Sequence, residues 1–175
     1  MSFYSMMMPA LYPYIAMGVV SNFLVCQWMQ PLAIAKKRVA TFTKEFKDEL
    51  NAEHKQHFPE GEVDGIGQPD QGTGWYSRKL PLDKWVAFMS SQRVLMNYVE
   101  WMPLIAFFTL ICGWLFPLVG IVTSWAIVLG RIMYVIGYLK APHLRGPGFI
   151  LQFLAIFINV ILSFTTAIMC IVHTA

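Results

Sequence analysis

Charge is what this sequence has least of. Of 175 residues only 13% are charged and 57% are hydrophobic, against about a quarter charged in an ordinary soluble domain. Met1 to Ala35 contains no acid and no base. With an apolar run of spanning length near Leu11–Ala33 and no basic leading segment, this stretch reads as a retained membrane span and not a cleaved signal peptide. Cysteine is also scarce. Cys26, Cys112 and Cys170 all fall inside apolar runs, so a disulfide framework is not expected. His54 and His57 with Glu53 are of metal-ligating type, but no third ligand recurs at a metal-site spacing. A solvated polar face is the expected role there, and no metal is expected. Gly65-Ile-Gly67 and Gly72-Thr-Gly74 neither follow a strand nor open a helix, which excludes a phosphate loop.

What the chain does have is long apolar runs. They place membrane spans at about 11–35, 86–116, 118–139 and 149–172, with a long polar first loop at 36–85. No other region is large enough to bury a core of its own, so residues 1–175 read as a single all-α membrane domain. Within the first span Asn22 and Gln27 suit interhelical hydrogen bonding, and Pro31 suits a kink near its end. Phe42, Phe46 and Leu50 recur every four residues, predicting a helix over Thr41–His57 that lies on the membrane surface. Pro59–Lys84, rich in Gly, Pro and Asp, reads as an irregular loop. Trp75, Tyr76, Leu80, Leu82 and Trp85 would anchor its end at the headgroups. Asp83 suits the N-cap of the second span, and Pro103 suits a bend in it.

The net charge of +3 conceals an uneven distribution. Nine of the thirteen Lys/Arg and nine of the ten Asp/Glu lie between Lys36 and Lys84, leaving that segment neutral. The surplus is Arg93, Arg131, Lys140 and Arg145, set around the single acid Glu100. No broad basic face exists for nucleic acid, and a small anion is the natural partner. All the basic residues lie in the first and third loops or the adjoining helix ends. The positive-inside rule puts both loops on the cytoplasmic side, or the matrix side in a mitochondrion. Arg93, Arg131, Arg145 and Lys36 are then expected at one membrane face.

Arg93, Asn97 and Glu100 fall at i, i+4 and i+7, on one face of the second span. Arg131, Tyr134 and Tyr138 fall at i, i+3 and i+7 on the third, where Gly130 and Gly137 allow close helix contact. Ionisable residues at membrane depth are costly and mark functional sites. Arginines bind carboxylates through paired hydrogen bonds. Glu100 suits an ammonium, Asn97 an amide, and the tyrosines supply hydroxyls. A cation beside a thiol favours its thiolate. Glutathione is a ligand with carboxylates, one ammonium and a thiol. The plainer alternative is an Arg131–Glu100 pair that ties two helices together. Lys36-Lys37-Arg38 reads either as a snorkelling basic anchor or as part of the ligand site.

The segments NYVEWMP on the second span and GRIMYVIGY on the third, followed by Arg145, resemble the family of membrane-associated proteins in eicosanoid and glutathione metabolism (MAPEG), in pattern most like microsomal glutathione transferases. The resemblance covers all four spans and is strongest over Gln92–Gly146. It implies a left-handed four-helix transmembrane bundle that assembles as a homotrimer, with glutathione between neighbouring subunits. Carried over by position, Lys36, Lys37, Arg93, Asn97, Glu100, Arg131, Tyr134 and Tyr138 would bind glutathione. Arg145 matches the catalytic arginine that stabilises the thiolate. A lipid electrophile or hydroperoxide would enter from the bilayer of the endoplasmic reticulum or a mitochondrion. Three positions depart from the pattern. Leu95 stands where relatives have Gln or His, Trp101 where several have Tyr, and Lys36 where an Arg is usual. These departures, with the long first loop, support the alternative of a non-catalytic scaffold or an accessory subunit of a larger membrane complex. A channel or transporter is disfavoured, because the polar face gathers at one membrane side.

Overall fold

The computed structural model describes residues 10–29, 34–63 and 70–174. The expected kink at Pro31 and the Gly65–Gly67 segment lie outside the described residues. Among those described, every regular element is helical and none is a strand. The six α-helices are α1 (Tyr12–Met29), α2 (Lys36–Thr41), α3 (Lys44–His57), α4 (Leu82–Leu115), α5 (Pro117–Lys140) and α6 (Gly146–Thr174). In apolar surroundings a helix satisfies its backbone polar groups internally, which is why the apolar runs take this form. Among the described residues three helical segments are long and apolar enough to cross a membrane: Leu82–Leu115, Pro117–Lys140 and Pro142–Val172. Helix α1 has 18 residues, just under the ~20 a bilayer core needs, and Asn22 and Gln27 lower its hydropathy. The protein is an all-α membrane protein.

The chain divides into two compact units. Residues 1–27 and 97–175 form one, and residues 28–96 the other. Helices α1 and α4 each contribute to both.

In the first unit Tyr98, Met102, Ile105, Ile127, Ala155 and Ile156 form the core, joining α4, α5 and α6. Buried polar groups are paired across helices. Asn159 accepts from Thr123 Oγ1 at 2.7 Å and donates to Thr109 Oγ1 at 2.9 Å. Asn22 Nδ2 donates to the Gly18 carbonyl, and the Tyr98 hydroxyl donates to the Asn22 carbonyl. The bond to Gly18 stays within α1; the interhelical hydrogen bond foreseen for the Asn22 side chain runs from its Nδ2 to the Ser124 carbonyl of α5, at 3.5 Å. Gly130 lies against the backbone of Gln152 and the carbonyl of Gly148, and a side chain on Gly148 would run into the Tyr134 and Gly130 backbones. The small residues therefore let α5 and α6 pack closely. Pro117 sits in the first turn of α5, where its missing N–H costs nothing. Pro103 lies inside the continuous helix α4.

The second unit departs from the expectations in three ways. Thr43 caps α3, its hydroxyl accepting from the Phe46 amide, so that helix begins at Lys44 and not at Thr41. The apolar stripe does not face a membrane surface: Phe42, which precedes α3, and Leu50 within it are buried, and Phe42 stacks edge-on to Phe88 at 5.2 Å. Nor do the aromatic residues of the first loop form a common anchor. Trp75 and Leu82 are exposed, whereas Leu80 is buried and the Trp85 indole donates to the Gly72 carbonyl at 2.8 Å. The loop is ordered by Asp70. Its carboxylate accepts from the Gly72 amide at 2.7 Å and the Ser77 amide at 2.8 Å, and also from the Ser77 hydroxyl. Gly72 holds a φ of +99°, a conformation that favours glycine. The Gly72–Gly74 segment is thus a turn wound on a carboxylate.

Candidate functional site

The site grows from Arg131 in the middle of α5, a long cation only 1% exposed inside a span. Its Nη1 donates to Asn97 Oδ1 of α4 at 3.0 Å. Its guanidinium lies over the Tyr98 ring at 4.1 Å and near the Tyr134 ring at 5.2 Å. Aromatic faces attract a cation and lessen the cost of its burial. They leave it under-bonded, however: Arg131 Nε and Nη2 are buried with no hydrogen-bond partner. A buried charge without full partners is strongly disfavoured, and donors of this kind can pair with an anion.

Tyr134 and Tyr138 follow along α5, both buried, with ring centroids 5.6 Å apart. Beyond them the chain turns through a 3-10 segment, Pro142–Arg145. Gly137 meets the Leu144 carbonyl and Gly148 meets the Tyr134 backbone, so the turn folds back against the end of α5. This puts the exposed Arg145 over the Tyr138 ring at 5.2 Å. The result is a polar line with an inner cation, two phenols and an outer cation. It can hold a carboxylate at the inner end and stabilise a second negative charge at the outer end.

Of the residues singled out from the sequence, Asn97, Arg131, Tyr134, Tyr138 and Arg145 come together here. Glu100 is on α4 but exposed, and no ion pair forms between it and Arg131. The helix-tying pair is therefore not formed: Arg131 takes Asn97. Lys36, Lys37 and Arg93 belong to the second unit and are exposed. Arg38, next to the two lysines, is engaged in that unit. It donates to the Asp70 carbonyl at 2.9 Å and covers the Phe88 ring at 5.1 Å. Burial there lowers its pKa from the ordinary arginine value, with Asp70 opposing.

Trp101, one of the departures, packs beside the core edge-on to Phe153 of α6, with centroids 6.3 Å apart. Sequence reasoning missed Tyr98. The signal was available: an aromatic residue directly after Asn97, within the polar stretch of an apolar span, suits a ring that covers a buried cation. Among the described residues no group of three or more metal-ligating side chains gathers.

No curated protein and no solved structure matches the chain. The family model that does match spans residues 1–165 and is that of the MAPEG family. A match over nearly the whole chain, on a helical protein with this polar line between its spans, makes the protein an integral membrane member of the MAPEG family.

Proposed function

We propose that this protein is a glutathione transferase or peroxidase acting on lipophilic electrophiles or lipid hydroperoxides. The observation that carries the reading is the buried Arg131 guanidinium, with two nitrogens that lack partners. MAPEG proteins generally use glutathione, and its carboxylates fit those donors. Bound glutathione supplies the nucleophilic sulfur. Arg131 and Asn97 hold and orient one end of the tripeptide. Tyr134 and Tyr138 present hydroxyls along its length. Arg145, the outermost cation, stands beside the sulfur and favours its ionised form. Arg93 and Glu100, with Lys36 and Lys37, are exposed, which supports a site completed against a neighbouring copy in a homotrimer. The exposed apolar residues of α4 and α6, such as Phe107, Phe157 and Phe164, suit lipid contact and entry of the hydrophobic substrate from the bilayer. The membrane of the endoplasmic reticulum or of a mitochondrion fits the reading equally.

The test is direct. Purified protein mixed with glutathione should show thiolate absorbance and conjugate a chloronitrobenzene. Arg145→Ala should lose both while retaining glutathione binding by calorimetry. If the variant keeps both, the assigned role of Arg145 is wrong. A second reading, a non-catalytic scaffold or accessory subunit, has its own support. The segment 28–96 forms a compact unit of its own, which gives a partner a surface to bind. Native electrophoresis from mild detergent separates the two, because a band no larger than a trimer counts against a large assembly.

A further inference from the structure

Tyr98 follows Asn97 on α4 and takes no ligand role by position, yet it sets a whole ring against Arg131. The guanidinium carbon lies 4.1 Å from the ring centroid, and the tyrosine is buried. At that depth the attraction between a cation and an aromatic face is strong, because water does not compete for the charge. The ring is itself fixed. Its hydroxyl donates to the Asn22 carbonyl of α1, and Asn22 donates through Nδ2 to the Ser124 carbonyl of α5 at 3.5 Å. The same ring belongs to the core cluster with Met102, Ile105 and Ile127. Partners of a guanidinium differ in what they use up. A carboxylate or amide oxygen takes particular N–H donors, whereas a ring face attracts the charge as a whole and needs none of them. Asn97 takes Nη1 at 3.0 Å, Tyr98 takes none of the hydrogens at an oxygen, and Nε and Nη2 stay without partners. The cation is thus held at two points while two of its nitrogens keep their donors.

We propose that Tyr98 is a positioning residue for the anionic end of the substrate: its ring, pinned to α1, sets the Arg131 guanidinium so that Nε and Nη2 meet one carboxylate. The inference rests on the glutathione reading above and deepens it, by naming what fixes the carboxylate-binding group. A guanidinium grips a carboxylate through two parallel N–H bonds, so its orientation decides whether both form. A group already held in the binding orientation loses less freedom when the ligand arrives, and affinity rises accordingly. Helix α1, which carries none of the polar line, thereby acts on binding through one hydrogen bond, from the Tyr98 hydroxyl to the Asn22 carbonyl.

The experiment is calorimetry on the full chain in mild detergent, with glutathione and its two monocarboxamides, in each of which one carboxylate becomes a neutral amide. In wild type one of the amides should bind about tenfold or more weaker than glutathione, the factor expected of a lost charge-assisted hydrogen bond. Tyr98→Leu removes the ring, and the ratio between glutathione and that amide should fall to about threefold or less. Tyr98→Phe keeps the ring without its pin and should give an intermediate ratio. A merely structural tyrosine would weaken glutathione and the amide alike and leave the ratio unmoved. Equal ratios in wild type and Tyr98→Leu therefore overturn the proposal, as does a wild type that binds glutathione with no amide penalty. Where Tyr98→Leu fails to fold or to bind, Tyr98→Phe decides, and a ratio equal to wild type overturns the proposal. In each of these outcomes wild type still binds glutathione, so the reading beneath is untouched. A wild type that binds none of the three ligands overturns the glutathione reading and this inference with it.

Discussion

Arg131 is a buried cation with unfilled hydrogen-bonding capacity, an arrangement costly to stability. Only Nη1 is hydrogen-bonded, to Asn97, and replacing buried ionic groups by apolar ones of similar volume is often neutral or stabilising by about 1–4 kcal/mol. Arg131→Met is therefore expected to leave the thermal midpoint in detergent unchanged or raised, while glutathione affinity falls about tenfold or more. Differential scanning and calorimetry on the same preparation check both halves, and a variant that melts lower yet binds normally would show a purely structural arginine. His54 and Tyr76 form a similar inward pair in the second unit, with Nδ1 and the phenol 2.7 Å apart. Tyr76→Phe leaves the buried imidazole without that partner and should cost about 1–3 kcal/mol. Burial, with Asp70 nearby, raises the Tyr76 pKa above 10.0. The unfolded chain then loses the phenol proton first, so this contribution is intact below pH 10 and declines as pH rises beyond it. The alkaline decline in a melting-versus-pH series should be smaller in Tyr76→Phe.

At the scale of elements, the contact between α5 and α6 positions the whole polar line. Gly148 places its Cα against the backbones of Tyr134 and Gly130. A methyl group there must push the helices apart, and overpacking of this kind costs about 1–3 kcal/mol. Gly148→Ala should lower the melting temperature and weaken glutathione binding, although it replaces no polar residue of the site. Normal affinity with a lowered melting temperature would mean that the site tolerates helix separation. Much of this element was legible: Gly130 and Gly137 stood out as close-packing positions, and Tyr134 and Tyr138 shared a face by spacing alone. Helix α3 was legible as a helix but not in its role. The apolar stripe from Phe42 to Leu50 satisfies the periodicity of a surface-lying helix equally well, and the residues that Phe42 and Phe46 pack with, Leu80 and Phe88, are distant in sequence.

For the molecule as a whole, the distribution of basic residues is the strongest constraint. Every Lys and Arg except Arg93 and Arg131, which lie within α4 and α5, falls in the first and third polar loops or the helix ends beside them, so both loops should lie on one side of the membrane. Protease added to sealed vesicles should cut segments 36–84 and 140–145 from the same side. Cleavage of the two from opposite sides would overturn this topology. The departures Leu95 and Trp101 bear on the same scale. Trp101 is absorbed into core packing, and neither position is among the residues of the polar line from Arg131 to Arg145.

Composition and periodicity were sufficient for the membrane class, the helices and the two polar faces, because these depend on local hydrophobicity and on a fixed helical repeat. They also singled out Arg131, Tyr134, Tyr138 and Arg145. Which groups pair was a matter of tertiary structure. Arg131 takes Asn97 and the Tyr98 ring instead of Glu100, and Arg38 turns to Asp70. The reason is physical: helical spacing places a side chain on a face, but only the packed neighbour determines which donor meets which acceptor and which nitrogen is left for a ligand.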